Sequence, residues 1–287
     1  MRWRGRRRSE NVEDRRGGPP AGMVVGGGGL GALLIVVIAM FLGADPQALV
    51  GLVGPPQQQQ QMQAGPGIDD DAREFIEVVL SDTETIWSRL FQQHVQGGGY
   101  SPPRLVMFTG SVQSGCGVAA AQMGPFYCPA DQQVYIDPTF FDELKNRHNA
   151  PGDFANAYVI AHEVAHHVQK LLGFSDQVAH VRQRGDELAT NRASVRLELQ
   201  ADYLAGVWAH HAHQEYNILE EGDIAEAMNA ANQIGDDTLQ RLAQGHVVPE
   251  RFTHGTSEQR VRWFKAGLLS GDMEACKRLF ELDYSQL

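Results

Sequence analysis

A short pattern, His-Glu-x-x-His from His162 to His166, lies in a segment that is apolar on several sides and therefore predicts a buried helix. Residues four apart lie on one face of a helix, so His162 and His166 can bind one metal ion together. Two histidines and the carboxylate of Glu163 need polar partners inside a core, which constrains whatever packs around them. The pattern predicts a Zn²⁺ site with Glu163 as its catalytic general base.

A third metal ligand is expected downstream, because a catalytic zinc usually has three protein ligands and one open position. Glu198 and Asp202 are four residues apart in a segment rich in apolar residues, which indicates one buried helix face. We predict Glu198 as the third ligand and Asp202 as the acceptor that orients a ligand histidine through its other ring nitrogen. The alternative is that both are ordinary solvated carboxylates.

Several longer motifs surround these residues: 124–129, 161–169, 195–202, 205–209 and 254–260. Through them the chain resembles the bacterial neutral zinc metallopeptidases, which are gluzincin-like proteins with one N-terminal membrane anchor. The resemblance covers roughly residues 69–287 and implies a zinc metalloendopeptidase-like hydrolase. The sequence departs from the family pattern at Tyr203, where a cysteine is expected, and this puts any thiol role at that position in doubt.

The predicted reaction is hydrolysis of a peptide bond by zinc-activated water, with a peptide or an unfolded protein as the substrate. His254 lies in a loop before a capped helix and is the candidate donor to the developing oxyanion, although it could instead bond to nearby backbone. A hypothesis of a different class is an exported interaction module that keeps zinc for stability, with little or no turnover. Glu163 favours catalysis, since a structural zinc site needs no base and usually has four protein ligands.

Other histidines and arginines are expected to lie outside this site. His167 points about 100° away from His166 and should bond to protein or water. A second metal site in the histidine cluster near a helix end is a weaker hypothesis, and four arginines should be solvated or paired with acids. These residues are His210, His211 and His213, and Arg192, Arg196, Arg260 and Arg262.

Charge is unevenly distributed along the chain, whose formal net charge is −11. Residues 1–20 hold seven arginines and three acidic residues, whereas residues 21–43 hold no charge. An acidic domain after a basic tail argues against a nucleic-acid enzyme. The 21 uncharged residues 23–43 would span about 30 Å as a helix, the thickness of a bilayer core.

This pattern predicts a single-pass membrane protein with a cytoplasmic N-terminus and a periplasmic or extracellular catalytic domain. A cleaved signal peptide is the alternative to a retained anchor. The predicted segments are a basic cytoplasmic tail (1–22), a transmembrane anchor (23–43), a flexible Pro/Gln/Gly linker (44–68) and the metallopeptidase domain (69–287).

The three cysteines agree with export. Cys116 and Cys128 bracket a short Gly- and Ala-rich segment, and export would allow them to form a disulfide. The alternative is that both are zinc ligands, although their spacing matches no common zinc module and the His/Glu site is already complete. Cys276 is expected to be a buried apolar residue.

The predicted fold class is α+β, mostly helical, a zincin-like domain with a small sheet before the motif helix. Asp153 is the expected cap of that helix, and Thr256 with Gln259 forms a capping box. An edge strand, either 117–121 or the strand of Tyr127, could bind an extended substrate, or these could be core strands only. Strands are predicted at 104–108, 125–127 and 133–137, and long helices after Asp69 and over 188–213.

Overall fold

Helices dominate the residues that the computed structural model describes, which are 1–17, 70–146 and 150–287. The predicted α+β, mostly helical class is confirmed. The helices are Asp70–His94 (α1), Thr139–Asn146 (α2), Asp153–Leu171 (α3), Phe174–Gln183 (α4), Glu187–Tyr216 (α5), Asp223–Gln233 (α6), Asp236–Gln244 (α7), Ser257–Ser270 (α8) and Arg278–Glu281 (α9). The strands are Val12–Asp14 (β1), Arg104–Met107 (β2), Ser111–Ser114 (β3), Gly117–Ala120 (β4), Phe126–Cys128 (β5) and Gln133–Ile136 (β6).

A small mixed sheet precedes the motif helix, as the sequence predicts. Its strand order is β1-β2-β6-β5, with β2 parallel to both of its neighbours and β5 antiparallel to β6. Strands β3 and β4 form a separate antiparallel hairpin. The predicted disulfide between Cys116 and Cys128 is present and joins the hairpin turn to the end of β5. Cys276 is a buried free thiol, as predicted.

The first 16 residues, here called the N-terminal arm, pack onto the rest of the fold. Trp3 is buried, lies edge-on to Phe75 with ring centroids 5.3 Å apart, and donates its indole N–H to Asp153 at 2.8 Å. Strand β1 of the arm hydrogen-bonds to β2 as the outer strand of the sheet. The arm is therefore an integral part of the domain and not a separate tail.

The predicted location is wrong. A membrane segment between residues 17 and 70 with its ends on opposite faces would separate β1 from β2 by a bilayer core of about 30 Å, whereas paired strands lie about 5 Å apart. Within 1–17, 70–146 and 150–287, no helix has both the length and the apolar character needed to cross a membrane. The predicted anchor (23–43) and linker (44–68) lie outside the described residues.

The centre of the fold is α3, which packs against α1, α5 and α6 and is buried on nearly every side. Helices α5 and α8 cross so closely that a Cβ atom added at Gly267 would lie 1.9 Å from the carbonyl oxygen of Tyr203. A Cβ atom at Gly206 would lie 2.1 Å from the carbonyl oxygen of Phe264. This close crossing brings the first turn of α8 against the middle of α5, where the predicted site residues lie.

Helix ends agree with the sequence except at the start of α3. Gly152 precedes that helix with a φ of 126°, and Asp153 is its first residue rather than its cap. The carboxylate of Asp153 instead accepts the hydrogen bond from Trp3 of the N-terminal arm, a partner that local sequence does not reveal. The capping box formed by Thr256 and Gln259 at the start of α8 is confirmed.

Candidate metal site

Three predicted ligands converge between α3 and α5. One donor atom from each of His162, His166 and Glu198 lies within 4.8 Å of the others. The Nε2 atom of His162 is 3.2 Å from Oε2 of Glu198, and the Nε2 atom of His166 is 3.6 Å from the same oxygen. In the described parts of the chain, no other group of three or more His, Cys, Asp or Glu residues converges in this way.

The first histidine is oriented by a buried ion pair. His162 donates its Nδ1–H to Oδ1 of Asp202 at 2.9 Å, and Asp202 is fully buried. Arg260 from α8 donates to both carboxylate oxygens of Asp202, at 2.8 and 3.0 Å. Tyr158 donates its hydroxyl to Asp202 at 2.5 Å. Asp202 thus occupies the place that the sequence predicts for it, with two further partners.

The charge on Asp202 is stabilised where burial alone would remove it. Burial opposes ionisation, but the positive charge of Arg260 and the contact with His162 outweigh it and lower the pKa of Asp202 to about 2. Burial also opposes the charged form of His162, yet Asp202 and Glu198 raise the pKa of that imidazole above its ordinary value. The carboxylate therefore acts as a fixed acceptor that keeps the proton on Nδ1 and leaves Nε2 for a metal.

The second histidine is oriented by an amide. His166 donates its Nδ1–H to Oε1 of Gln169, one turn further along α3, at 2.8 Å. Gln169 is fully buried and donates its own N–H groups to the carbonyl oxygen of Leu197 and to Gln200. Two imidazole Nε2 atoms and one carboxylate oxygen therefore converge, and imidazole and carboxylate ligands together suit Zn²⁺.

The cleft beside these ligands has a volume of about 560 Å³ and is lined by His162, Glu163, His166 and Glu198. Glu163 is mostly buried, and burial raises the pKa of its carboxyl group above the ordinary value. A carboxylate whose pKa lies nearer to neutrality can both accept and return a proton in the physiological range.

His254 also lines this cleft. Asp236, the first residue of α7, accepts the backbone N–H groups of Thr253, His254 and Gly255 at 2.6, 2.6 and 3.2 Å. It also lies 3.1 Å from Nδ1 of His254, and this hydrogen bond raises the pKa of the imidazole. The Nδ1 atom of His254 lies within hydrogen-bond distance of two side chains, those of Asp236 and Thr253.

Strand β5 forms one wall of the cleft through Phe126 and Tyr127. It pairs with β6 on one side and is the outer strand of the sheet as far as the structure describes it. Tyr127 donates its hydroxyl to Nδ1 of His167 at 3.1 Å, and His167 donates its Nε2–H to the carbonyl oxygen of Ser101 at 2.7 Å. His167 therefore bonds to protein, and it ties β5 to the helix that carries the metal ligands.

The remaining predicted positions lie away from the cleft. His210 and His211 bond to the carbonyl oxygens of Leu268 and Gly271, each at 2.8 Å, and the other ring nitrogen of His210 bonds to the side chain of Gln214. The second edge-strand candidate, 117–121, overlaps β4, which pairs with β3.

Sequence reasoning missed three contributors to the site. Arg260 is paired with an acid, which is one of the two predicted outcomes, but both partners are buried and the acid is Asp202 of the site itself. Gln169 and Asp236 were given no role. A signal existed for Gln169, which follows His166 by three residues and so shares its helix face, whereas nothing local marks Asp236, because its partners come from a loop 17 to 19 residues downstream.

Comparison with known proteins agrees with this geometry. The model of the family described as "Putative neutral zinc metallopeptidase" matches residues 1–279. The uncharacterized protein YpfJ of Escherichia coli K12 is 49% identical over 286 residues, which cover 96% of this chain and 98% of YpfJ. The uncharacterized proteins Mb2605 of Mycobacterium bovis and Rv2575 of Mycobacterium tuberculosis are each 38% identical over 259 residues, covering 83% of this chain and 84% of their own. No solved structure matches the chain.

Proposed function

Because the chain belongs to the neutral zinc metallopeptidase family, we propose that it hydrolyses peptide bonds in the cleft beside α3, with zinc held by His162, His166 and Glu198. The observation that carries this proposal is the convergence of donor atoms from those three side chains within 4.8 Å of one another. They line an open cleft, and the carboxylate of Glu163 lines the same cleft. A site with three protein ligands leaves a coordination position open, as catalytic zinc sites do.

Zinc, when bound, supplies Lewis acidity that lowers the pKa of water and polarises a carbonyl oxygen. Glu163 acts as the general base that takes the proton from the attacking water and then delivers it to the leaving amine.

His254 donates a hydrogen bond to the oxyanion that develops on the scissile carbonyl. Asp236 favours the charged form of this imidazole and fixes the loop that carries it through three backbone hydrogen bonds. The donor is therefore held in place before the substrate arrives, and this preorganisation is what makes such donors effective.

The substrate is an extended peptide segment, from a peptide or an unfolded protein, that adds as a strand to the outer edge of β5. Main-chain hydrogen bonds to an edge strand supply affinity that depends little on substrate sequence. The strand lies beside the cleft that holds the ligands, so a peptide bound there would run past Glu163 and His254.

The test is a comparison of wild type with Glu163→Gln in the full chain, because the N-terminal arm is part of the fold. Zinc content is measured by elemental analysis and cleavage by the release of fragments from an unfolded protein. We expect unchanged zinc content and a loss of cleavage of at least about 100-fold, the lower range for a general base.

Glu221→Gln is the matched control, since Glu221 is exposed in the loop before α6. It should keep both zinc and cleavage. Trace cleavage that is equal in wild type and Glu163→Gln, with zinc bound in both, would instead favour a zinc-stabilised interaction module.

A further inference from the structure

The two proposed ligand histidines have different orienting partners, which are Asp202 for His162 and Gln169 for His166. We propose that Gln169 is a positioning residue that holds His166 as the Nδ1–H tautomer and connects it to the backbone beside Glu198. The inference rests on the proposed zinc site and deepens it.

The tautomer follows from a carbonyl group. The Nε2 atom of Gln169 lies 2.6 Å from the carbonyl oxygen of Leu197, which can only accept a hydrogen bond. Flipping the amide would place two acceptor oxygens against each other in a fully buried environment, which is costly. Oε1 of Gln169 must therefore face His166, and Nδ1 of His166 must carry the proton. In the neutral imidazole that a metal requires, the lone pair on Nε2 is then left on the side of Glu198.

The same amide connects two helices that must stay in register. Gln169 lies on α3, three residues after His166, and Leu197 lies on α5, directly before Glu198. A shift of α5 along α3 would break the hydrogen bond to Leu197 and would also move Glu198 away from the histidines. The bond therefore fixes the third ligand relative to the second.

A second buried amide supports the first. Gln169 donates its other N–H to Oε1 of Gln200 at 3.0 Å, and Gln200 donates to the carbonyl oxygen of Cys276 at 2.9 Å. Gln200 is fully buried like Gln169, but it contacts neither His166 nor the backbone next to Glu198. It therefore provides a matched comparison, a glutamine of equal burial in the same network without the positioning contacts.

The choice of an amide also limits the negative charge at the site. His162 already has the carboxylate of Asp202 as its partner, which Arg260 balances. A second carboxylate at position 169 would have no such arginine and would face the carbonyl oxygen of Leu197. An amide orients His166 and can donate to Leu197, whereas an ionised carboxylate can only accept.

The experiment compares Gln169→Met with Gln200→Met in the full chain. The zinc dissociation constant is measured by competition with a chelator of known affinity, and the stability of the metal-free protein by urea unfolding. Loss of an orienting partner typically weakens metal binding by about 10- to 100-fold, so we expect that range for Gln169→Met. Gln200→Met should lose a similar amount of stability but weaken zinc binding by less than about 3-fold.

Gln169→Glu separates positioning from packing. It keeps an acceptor for His166 but loses both donors, so it should be less stable than Gln169→Met and yet bind zinc more tightly. A purely structural role predicts that zinc affinity follows stability across all three variants. That ranking, or equal zinc affinity for Gln169→Met and wild type, would overturn the inference.

The experiments distinguish a failure of the peptidase proposal from a failure of the role proposed for Gln169. Zinc binding that follows the expected order in a protein without Glu163-dependent cleavage supports the role of Gln169 and contradicts the peptidase proposal. Glu163-dependent cleavage with zinc affinity insensitive to Gln169→Met contradicts only the role of Gln169.

Discussion

Asp202 and Asp82 are both buried aspartates with an arginine partner, yet their pKa values shift in opposite directions. The pKa of Asp202 falls to about 2, whereas the pKa of Asp82 rises to about 7. Burial is the largest cause for both groups and favours the neutral acid in both. The difference must therefore come from the partners.

Asp202 receives hydrogen bonds on both oxygens, from Arg260, Tyr158 and His162. Asp82, on α1, receives one from Arg6 of the N-terminal arm at 2.7 Å, and its Oδ2 atom has no hydrogen-bond partner among the described residues. Arg260 is also itself buried, while part of Arg6 is exposed. A buried carboxylate thus stays ionised when hydrogen-bond donors surround both of its oxygens. Asp202, at the candidate metal site, has such a set of donors, whereas Asp82, beneath the N-terminal arm, does not.

The largest expected effect is that of Arg260→Met. Removing one partner of a buried ion pair leaves an uncompensated charge, so we expect a loss of about 3–5 kcal/mol in the free energy of unfolding. Zinc affinity should fall too, because Asp202 would no longer be held against His162. Urea unfolding of the metal-free protein and chelator competition measure the two quantities.

The double variant Arg260→Met with Asp202→Asn is the control for this prediction. It removes the stranded charge and should recover part of the lost stability, which would give a coupling energy in a double-mutant cycle. A double variant less stable than the sum of the single changes would contradict the role assigned to the pair.

A smaller effect is expected from Asp82→Asn, and it depends on pH. The folded-state pKa of Asp82, about 7, exceeds its unfolded value of about 3.9, so the folded protein holds an extra proton between about pH 4 and pH 7. Stability from this group is therefore present at low pH and is lost as pH rises through 7. Relative to Asp82→Asn, wild type should lose about 2–3 kcal/mol of unfolding free energy between pH 5 and pH 8, most of it below pH 7.

Urea unfolding of both proteins across that range measures the difference, in which the other titrating groups cancel. A difference that stays constant with pH, or that grows in favour of wild type, would show that Asp82 is ionised in the folded state as Asp202 is.

The site was more predictable from sequence than its surroundings. His162 and His166 share a face of one helix, and Glu198 and Asp202 share a face of another, because residues four apart lie on one side of a helix whatever the tertiary structure. The disulfide and the capping box are equally local. These are the features for which a short window of sequence contains both interacting partners.

Contacts between distant segments were not predictable in this way. Arg260 lies 58 residues from Asp202, and nothing in the sequence of α8 distinguishes it from neighbouring arginines before the close helix crossing at Gly267 is known. The location predicted from the sequence of the N-terminal arm was wrong for a related reason. An arginine-rich segment before an apolar run is typical of membrane topology. The contacts that show the arm folding back are all to distant segments: the strand β2, Asp153 and the acids on α1.

Arg7→Met is the change with the smallest expected effect. It extends the comparison of Arg260 and Arg6 to an arginine that is mostly exposed. Arg7 lies in the N-terminal arm beside Arg6, is mostly exposed, and approaches Glu84 only to 3.8 Å. Glu84 is already hydrogen-bonded by Ser9 and Asn11, so loss of Arg7 leaves no buried charge without donors. Exposed ion pairs contribute little, and we expect the urea unfolding midpoint of Arg7→Met to match wild type within error. A measurable loss would mean that net charge on the arm, and not the donors around each buried carboxylate, determines its docking.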